Sequence, residues 1–423
     1  MKPRIAYDVS FCADLHSDRR HVTGIGRVIE NVAEILRDSA EFDLCMIGCH
    51  GGDERPALTD ARTHAYWKNR WAPRPPVMAG TVSRFGLRGL YAPSLAGVNR
   101  PDAPRSFASK LFNTLSRLDA APRPLDGKID LFHSPFRPLP EPGQFRGPMV
   151  LTMHDLFPLA EPAGSYNRRM LEQTLARVDP ARTWVLTVSE YTRRELGRTL
   201  PIPEDRIAVM PLAAEALFRP AGDDAARKAF LHQHGIPDAP YFLSVANPQP
   251  RKNIPLLIRC FQEFARGENA HQLLLVGSRK LGWNHTEIDR EIEKTPELRG
   301  RIHFTGAVSD EELAVAYSHC TAFLFPSLAE GFGLPPLEAM QCGAPVVSAN
   351  TASLPEVTGD AAILIAPDDE RGLVQAMQAL VANRELRESL RAKGLARAAL
   401  FSWEKTARIV ADTYRRALAT KTP

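Results

Sequence analysis

The 423-residue chain has no run approaching the roughly 18 consecutive apolar residues that a membrane-spanning helix needs. Its opening, MKPRIAYDVSFCAD, also lacks an apolar stretch long enough for a secretory signal, so a cytoplasmic protein is expected. Cysteines are few and scattered: Cys12, Cys45, Cys49, Cys260, Cys320 and Cys342 sit mostly within apolar stretches, which suits buried thiols and excludes a disulfide framework. Only Cys45, Cys49 and His50 stand close together. They end the apolar run DLCMIGCH with no second ligand pair in view, and so read as strand residues rather than a metal site. Neither charge sign dominates, since 53 Lys and Arg face 49 Asp and Glu for a net +4, and no nucleic-acid partner is expected. With 44% hydrophobic and 24% charged residues, the composition excludes a disordered chain, a fibrous repeat and a coiled coil. At this length two or three domains are expected.

The basicity that does exist is local. Residues 61–130 hold nine Arg and three Lys against four Asp, so the rest of the chain is net acidic. WAPRPPVMAG, PDAPRS and AAPRPLDG interrupt the regular pattern there, marking an insertion over about 51–130. Within it, SFASKLFNTLSRLDA places Phe107, Leu111, Leu115 and Leu118 on one helical face, with Lys110 and Arg117 elsewhere on the helix. Two readings stay open: a packed surface helix, or a surface for an anionic membrane or a lipid-phosphate acceptor.

Outside that insertion, apolar strand runs alternate with helix-period segments. RIAYDVS, GIGRVIENVAEILRDS and DLCMIGC open the series, and DLFHS, MVLTMHD, WVLTVS, SEYTRRELGRTL and IAVMPLA continue it. From about residue 218 the grammar starts again with DDAARKAFLHQHG, YFLSVA, IPLLIRCFQEFA and HQLLLVG, and runs on to AAILIAP. Such alternation predicts two doubly wound parallel sheets, an N-terminal domain over 1–217 and a second over 218–403. An amphipathic segment at 404–423 is expected to pack back on the first domain. Ser309 with Glu312 and Ser353 with Glu356 have capping-box spacing. Two open α/β sheets imply a crevice, with ligands bound outside the carboxyl ends of the strands.

The most informative loop is FLFPSLAEGFGLPPLEAMQCGAPVVS. An apolar strand delivers the chain to Glu330, and Gly331 and Gly333 let backbone approach a ligand closely. Pro335 and Pro336 suit a helix start, which places Glu338 in the first turn. Backbone amides and a helix dipole there attract an anion, while a carboxylate accepts hydrogen bonds from sugar hydroxyls. Arg251 and Lys252 in NPQPRKN follow strand YFLSVA, a place suited to pairing with a diphosphate. Gly24 and Gly26 also allow close backbone approach, but Ile29 stands where a dinucleotide fingerprint needs its third glycine, and no acidic residue ends the second strand. A dehydrogenase is disfavoured. The chain contains no Asp-x-Asp, the motif that bridges a diphosphate through a metal.

Glu330 and Glu338, an E-x7-E pair within EGFGLPPLEAM, resemble those of retaining glycosyltransferases of family 4. TGIGRV, MHDLFPL, SEYTRREL, PRKN, FTGAVSDEEL and SLPEV follow in that family's order. The resemblance implies the GT-B architecture, two Rossmann-like domains facing a cleft, and metal-independent transfer of a hexose from a nucleoside diphosphate sugar with no cofactor. It implies that Glu330 contacts the transferred sugar, Glu338 the ribose, and Arg251 and Lys252 the phosphates. Gly331, Phe332, Gly333 and Leu334 then offer backbone amides, with Val308, Gly24 and Gly26 in the donor set. His154 resembles the active-site His near the reacting sugar, and Asp155 orients it or its loop. Some members carry an additional Arg where this chain has Asn247. Similarity to bacterial mannosyltransferases makes GDP-mannose the first donor expected and UDP-hexoses the alternative, with a glycan or lipid-linked saccharide acceptor in surface polysaccharide synthesis. Peripheral contact with an anionic membrane is a further expectation. A non-catalytic sugar-nucleotide scaffold, or a phosphorylase-like enzyme holding pyridoxal phosphate on a lysine, are the other readings, and no motif points to the latter.

Overall fold

A computed structural model of the chain describes residues 2–9, 11–12, 24–39, 41–47, 77–78, 128–136, 138–246, 249–267, 269–277 and 285–420. Cys49, His50, Asn247 and the helix expected at 107–118 lie outside these residues. The chain divides into two compact units, Met1–Met210 with Trp403–Pro423, and Pro211–Ser402. The boundary falls seven residues before the one the sequence periodicity placed at 217/218. The reason is that 211–217 is held by the second unit: Glu215 O accepts from Gln341 Nε2 at 2.8 Å, and the following Phe218 packs edge-on against Tyr317.

In the first unit, β1 (Arg4–Asp8), β2 (Asp43–Ile47), β3 (Val77–Met78), β4 (Leu131–Ser134), β5 (Met149–Met153), β6 (Thr183–Thr187) and β7 (Ile207–Val209) form one sheet in the order β3-β2-β1-β4-β5-β6-β7. Every pairing is parallel. Helices α1 (Gly24–Asp38), α2 (Tyr166–Ala176) and α3 (Glu190–Thr199) belong to this unit. β4, β5 and β6 are buried at every position, which explains their unbroken apolar runs: a sheet covered on both faces has no solvent side to alternate toward. α1 turns Val28, Ile29, Val32 and Leu36 inward at helical spacing, and Ser189 caps α3 by accepting from the Thr192 amide at 3.0 Å.

The C-terminal helix, Trp403–Ala419, packs on α1 and on β4 to β7 through a buried polar contact. In β4, His133 Nδ1 meets Tyr414 Oη at 2.6 Å, its Nε2 meets Thr152 Oγ1 at 2.9 Å, and Tyr7 lies edge-on to the ring at 5.0 Å. Burial pulls the His133 imidazole down to about 3. Because the unfolded chain protonates near 6.5, the unfolded state binds the extra proton as pH falls below that value, and stability is lost progressively down toward 3. We expect the first unit to lose about 2 kcal/mol between pH 7 and pH 5 through this residue. Chemical denaturation of wild type and His133→Gln at both pH values checks it; equal losses in the two proteins would refute it.

In the second unit the helices are α4 (Asp224–Gln233), α5 (Ile254–Ala265), α6 (His285–Glu293), α7 (Asp310–His319), α8 (Leu334–Gln341), α9 (Leu354–Thr358), α10 (Glu370–Ala382) and α11 (Arg384–Ala398). The strands are β8 (Tyr241–Val245), β9 (Gln272–Val276), β10 (Ile302–Gly306), β11 (Ala322–Phe325), β12 (Val346–Ala349) and β13 (Ala362–Ile365), again all parallel, in the order β10-β9-β8-β11-β12-β13. Leu257 and Phe261 of α5, Leu273 and Leu275 of β9, and Met377 and Leu380 of α10 share its core. The strand order reverses between β8 and β11, whose register pairs Phe242 with Ala322 and Leu243 with Phe323. Loops leaving the carboxyl ends of two such neighbours diverge to opposite faces and leave room for a ligand. Among the described residues no helix is long and apolar enough to cross a membrane.

Candidate active site

The loop after β8 and the loop after β11 meet at this switch point, although they are nearly eighty residues apart in sequence. Pro250–Lys252 is one turn of 3-10 helix, and Asn253 at φ 55° redirects the chain into α5, its side-chain amide donating to Pro367 O at 2.8 Å. This turn aims both cations at one carboxylate. Lys252 Nζ stands 2.7 Å from Glu330 Oε1, and Arg251 Nη1 stands 2.6 Å from Oε2. Ser327 donates to Oε1 at 2.6 Å, and Lys252 Nζ lies 4.6 Å from the centre of the Phe325 ring. A backbone contact ties the loops together, with Leu328 N donating to Arg251 O at 2.7 Å.

Glu330 and Lys252 are buried, while the Arg251 side chain is 36% exposed at the rim. Burial pushes the Glu330 carboxyl up, but Lys252 and Arg251 outweigh it and hold it below the usual carboxylate range. Burial draws the Lys252 ammonium below its ordinary value, and Glu330 opposes that pull. Two cations thus converge on one carboxylate, and the buried Glu338 carboxylate also favours the charged form of Lys252.

Gly333 adopts φ 114° at the N-cap of α8, a backbone conformation that calls for glycine, and a Cβ there would press on Leu354 Cδ2 at 2.9 Å. The helix starts at Leu334, which moves Glu338 out of the first turn where it was expected and into the second. Its carboxylate is buried and accepts from Tyr317 Oη at 3.4 Å, so the helix dipole does not explain it. Phe332 is buried edge-on against Phe401, and Val308 is buried just before the Ser309–Glu312 capping box, which forms as its spacing predicts.

The second expected capping box does not form. Ser353 makes no capping bond; its hydroxyl faces Glu330 O at 2.7 Å and Phe332 O at 2.6 Å. Ser327, Thr351 and Ser353 are therefore site residues that sequence reasoning missed. The hydroxyl three residues before Glu330 was the only visible signal.

In the first unit, His154 follows β5 and donates from Nε2 to Pro135 O at 2.8 Å, a carbonyl that only accepts and so places the proton on Nε2. Burial lowers its pKa to about 4, which keeps the ring neutral at physiological pH. Asp155 stands beside it on the wall of a cavity of about 340 Å³ that Phe157 and Tyr191 also line. Gly24 and Gly26 open α1, Gly24 exposed and Gly26 buried.

Residues 22–215 match the family profile "Glycosyltransferase Family 4", and residues 227–397 match "Glycosyl transferases group 1". The chain is 34% identical to O-antigen chain mannosyltransferase B of Escherichia coli over 269 residues, 63% of this chain and 70% of that protein. It is 32% identical to the serotype-specific mannosyltransferase WbdA of Escherichia coli over 275 residues, 64% of this chain but 33% of the length of that relative. In fold it is similar to the crystal structure of a glycosyltransferase from Rickettsia africae, with a TM-score of 0.66 at 15% identity over 99% of this chain and 100% of that one. Two Rossmann-like units, the E-x7-E loop at a switch point and these matches lead to one assignment: the chain belongs to the family 4, group 1 glycosyltransferases and has the GT-B fold.

Proposed function

We propose that the chain moves mannose from GDP-mannose to a glycan or lipid-linked saccharide in surface polysaccharide synthesis, with retention at the anomeric carbon and without a metal ion or other cofactor. The observation that carries this reading is the buried pairing of Glu330 with Arg251 and Lys252 at the switch point. A departing nucleoside diphosphate gathers negative charge as the bond from the anomeric carbon to its oxygen breaks, and fixed cations in a water-poor site stabilise that charge. The acceptor oxygen bonds to the same face of the sugar, and its proton passes to the departing phosphate. Glu330, released from its cations as the diphosphate takes them, then accepts hydrogen bonds from the sugar. Glu338 is assigned to the ribose, and neutral His154 with Asp155 to the reacting sugar. Gly331, Phe332, Gly333 and Leu334 offer backbone amides to the donor. The mannose assignment draws on the names of the two Escherichia coli relatives. The positive surplus in 61–130 suits contact with an anionic membrane.

Nucleoside diphosphate release from a panel of GDP- and UDP-sugars, with EDTA present and a mannosyl acceptor supplied, tests the proposal. Release from GDP-mannose alone, with an α-configured product by NMR, is the expected result. Release from a UDP-hexose reassigns the donor, an EDTA-sensitive rate overturns metal independence, and donor binding without any release favours a scaffold.

A further inference from the structure

The turn that follows β12 holds three features that secondary structure alone does not require. Ala352 is a non-glycine residue at φ 52°, a backbone conformation kept only where surrounding structure imposes it. On either side of it are hydroxyls committed to the loop after β11: Thr351 Oγ1 donates to Ser327 O at 3.2 Å, and Ser353 Oγ, fully buried, bridges Glu330 O and Phe332 O. Ser353 occupies the N-cap of α9 with φ −84° and ψ −9°, rather than the extended backbone of a capping serine, so its hydroxyl is turned away from the helix amides.

We propose that Ser353, supported by Thr351 and the strained Ala352 between them, is a positioning residue that fixes the backbone of Glu330 so that its carboxylate reaches Lys252, Arg251 and an incoming sugar. This deepens the glycosyl-transfer reading above and rests on it. With its carbonyl pinned by Ser353 and Oε1 pinned by Ser327, Glu330 is held at both ends, and only its side-chain torsions between those points are free to adjust. Misplacement of a reacting group by an ångström costs on the order of 100-fold in rate, so loss of this clamp acts on turnover more than on binding. The helix that follows loses nothing by the change, because Ser353 does not cap it.

The test is steady-state kinetics of Ser353→Ala on the full chain with the donor found active for wild type. We expect kcat to fall by about 10- to 100-fold with donor KM changed less than about threefold. The acid limb of the pH–rate profile should move to higher pH, because a displaced Glu330 loses the cations that hold its carboxyl down. A purely structural role would leave that limb in place. Wild-type kcat with an unmoved limb in the folded variant overturns the clamp. If Ser353→Ala does not fold, Thr351→Val decides by the same two readouts, with a smaller shift in the same direction expected and no shift overturning the proposal. Absence of donor turnover by wild type overturns the transferase reading instead, and the clamp falls with it.

Discussion

Glu330→Gln is expected to lower turnover by about 10²- to 10³-fold, the usual effect of removing one electrostatic contact made as the transition state forms. The same substitution should raise affinity for free nucleoside diphosphate by roughly tenfold, equivalent to about 1.4 kcal/mol. These opposite signs follow from one geometry. Both cations pair with the carboxylate, at 2.6 and 2.7 Å, so it competes with a diphosphate for them. A neutral amide removes that competitor. A nucleoside diphosphate carries no sugar, so it loses no contact to the missing carboxylate, whereas the intact donor does. Titration calorimetry with GDP and UDP, alongside the release assay, checks both halves. Unchanged turnover would remove Glu330 from the reacting centre; weaker diphosphate binding would mean that its role is to assemble the cations rather than to compete for them.

Most of this site could be read from the sequence because its determinants are local. Strands buried on both faces announce themselves as apolar runs, and each motif falls at the end of one: PRKN after YFLSVA, and EGFGLPP after AFLFPS. What those runs do not state is strand order. That Arg251 and Lys252 meet Glu330 depends on β11 returning beside β8 rather than at an edge, a long-range pairing with no local signature. The same limit explains the misplaced details. Ser353 has the spacing of a cap, but the left-handed turn at Ala352 redirects its hydroxyl, and nothing about an alanine announces φ 52°. Glu338 was counted from the prolines, whereas the helix is set by Gly333 one residue before Leu334. His133 and Tyr414 are 281 residues apart with no local signal of pairing, and only the folded chain reveals that they tie the C-terminal helix to the first sheet.

Lys252→Met should destabilise the second unit by about 3 kcal/mol, toward the lower end of what breaking a buried pair costs, since Arg251 and Ser327 still serve the carboxylate that remains. Met keeps the length of the chain over the Phe325 ring but not the charge, so the loss reports the ion pair together with the cation–π contact rather than packing. Donor affinity should fall by roughly 10- to 100-fold, matching one charge-assisted hydrogen bond. Arg251→Met, at a side chain 36% exposed, should cost no more than about 1 kcal/mol of stability because solvent screens it. Combining Lys252→Met with Glu330→Gln gives the sharper result. Removing both charges leaves no uncompensated buried ion, so the double variant should recover most of the stability that Lys252→Met loses, while its turnover stays at or below that of either single variant. Denaturation of the four proteins, read as a double-mutant cycle beside their kinetics, then separates what the pair does for the fold from what each member does for the reaction. Additive stability losses would mean that the two groups are not coupled in solution, and the stand-off between Glu330 and an incoming diphosphate would lose its basis.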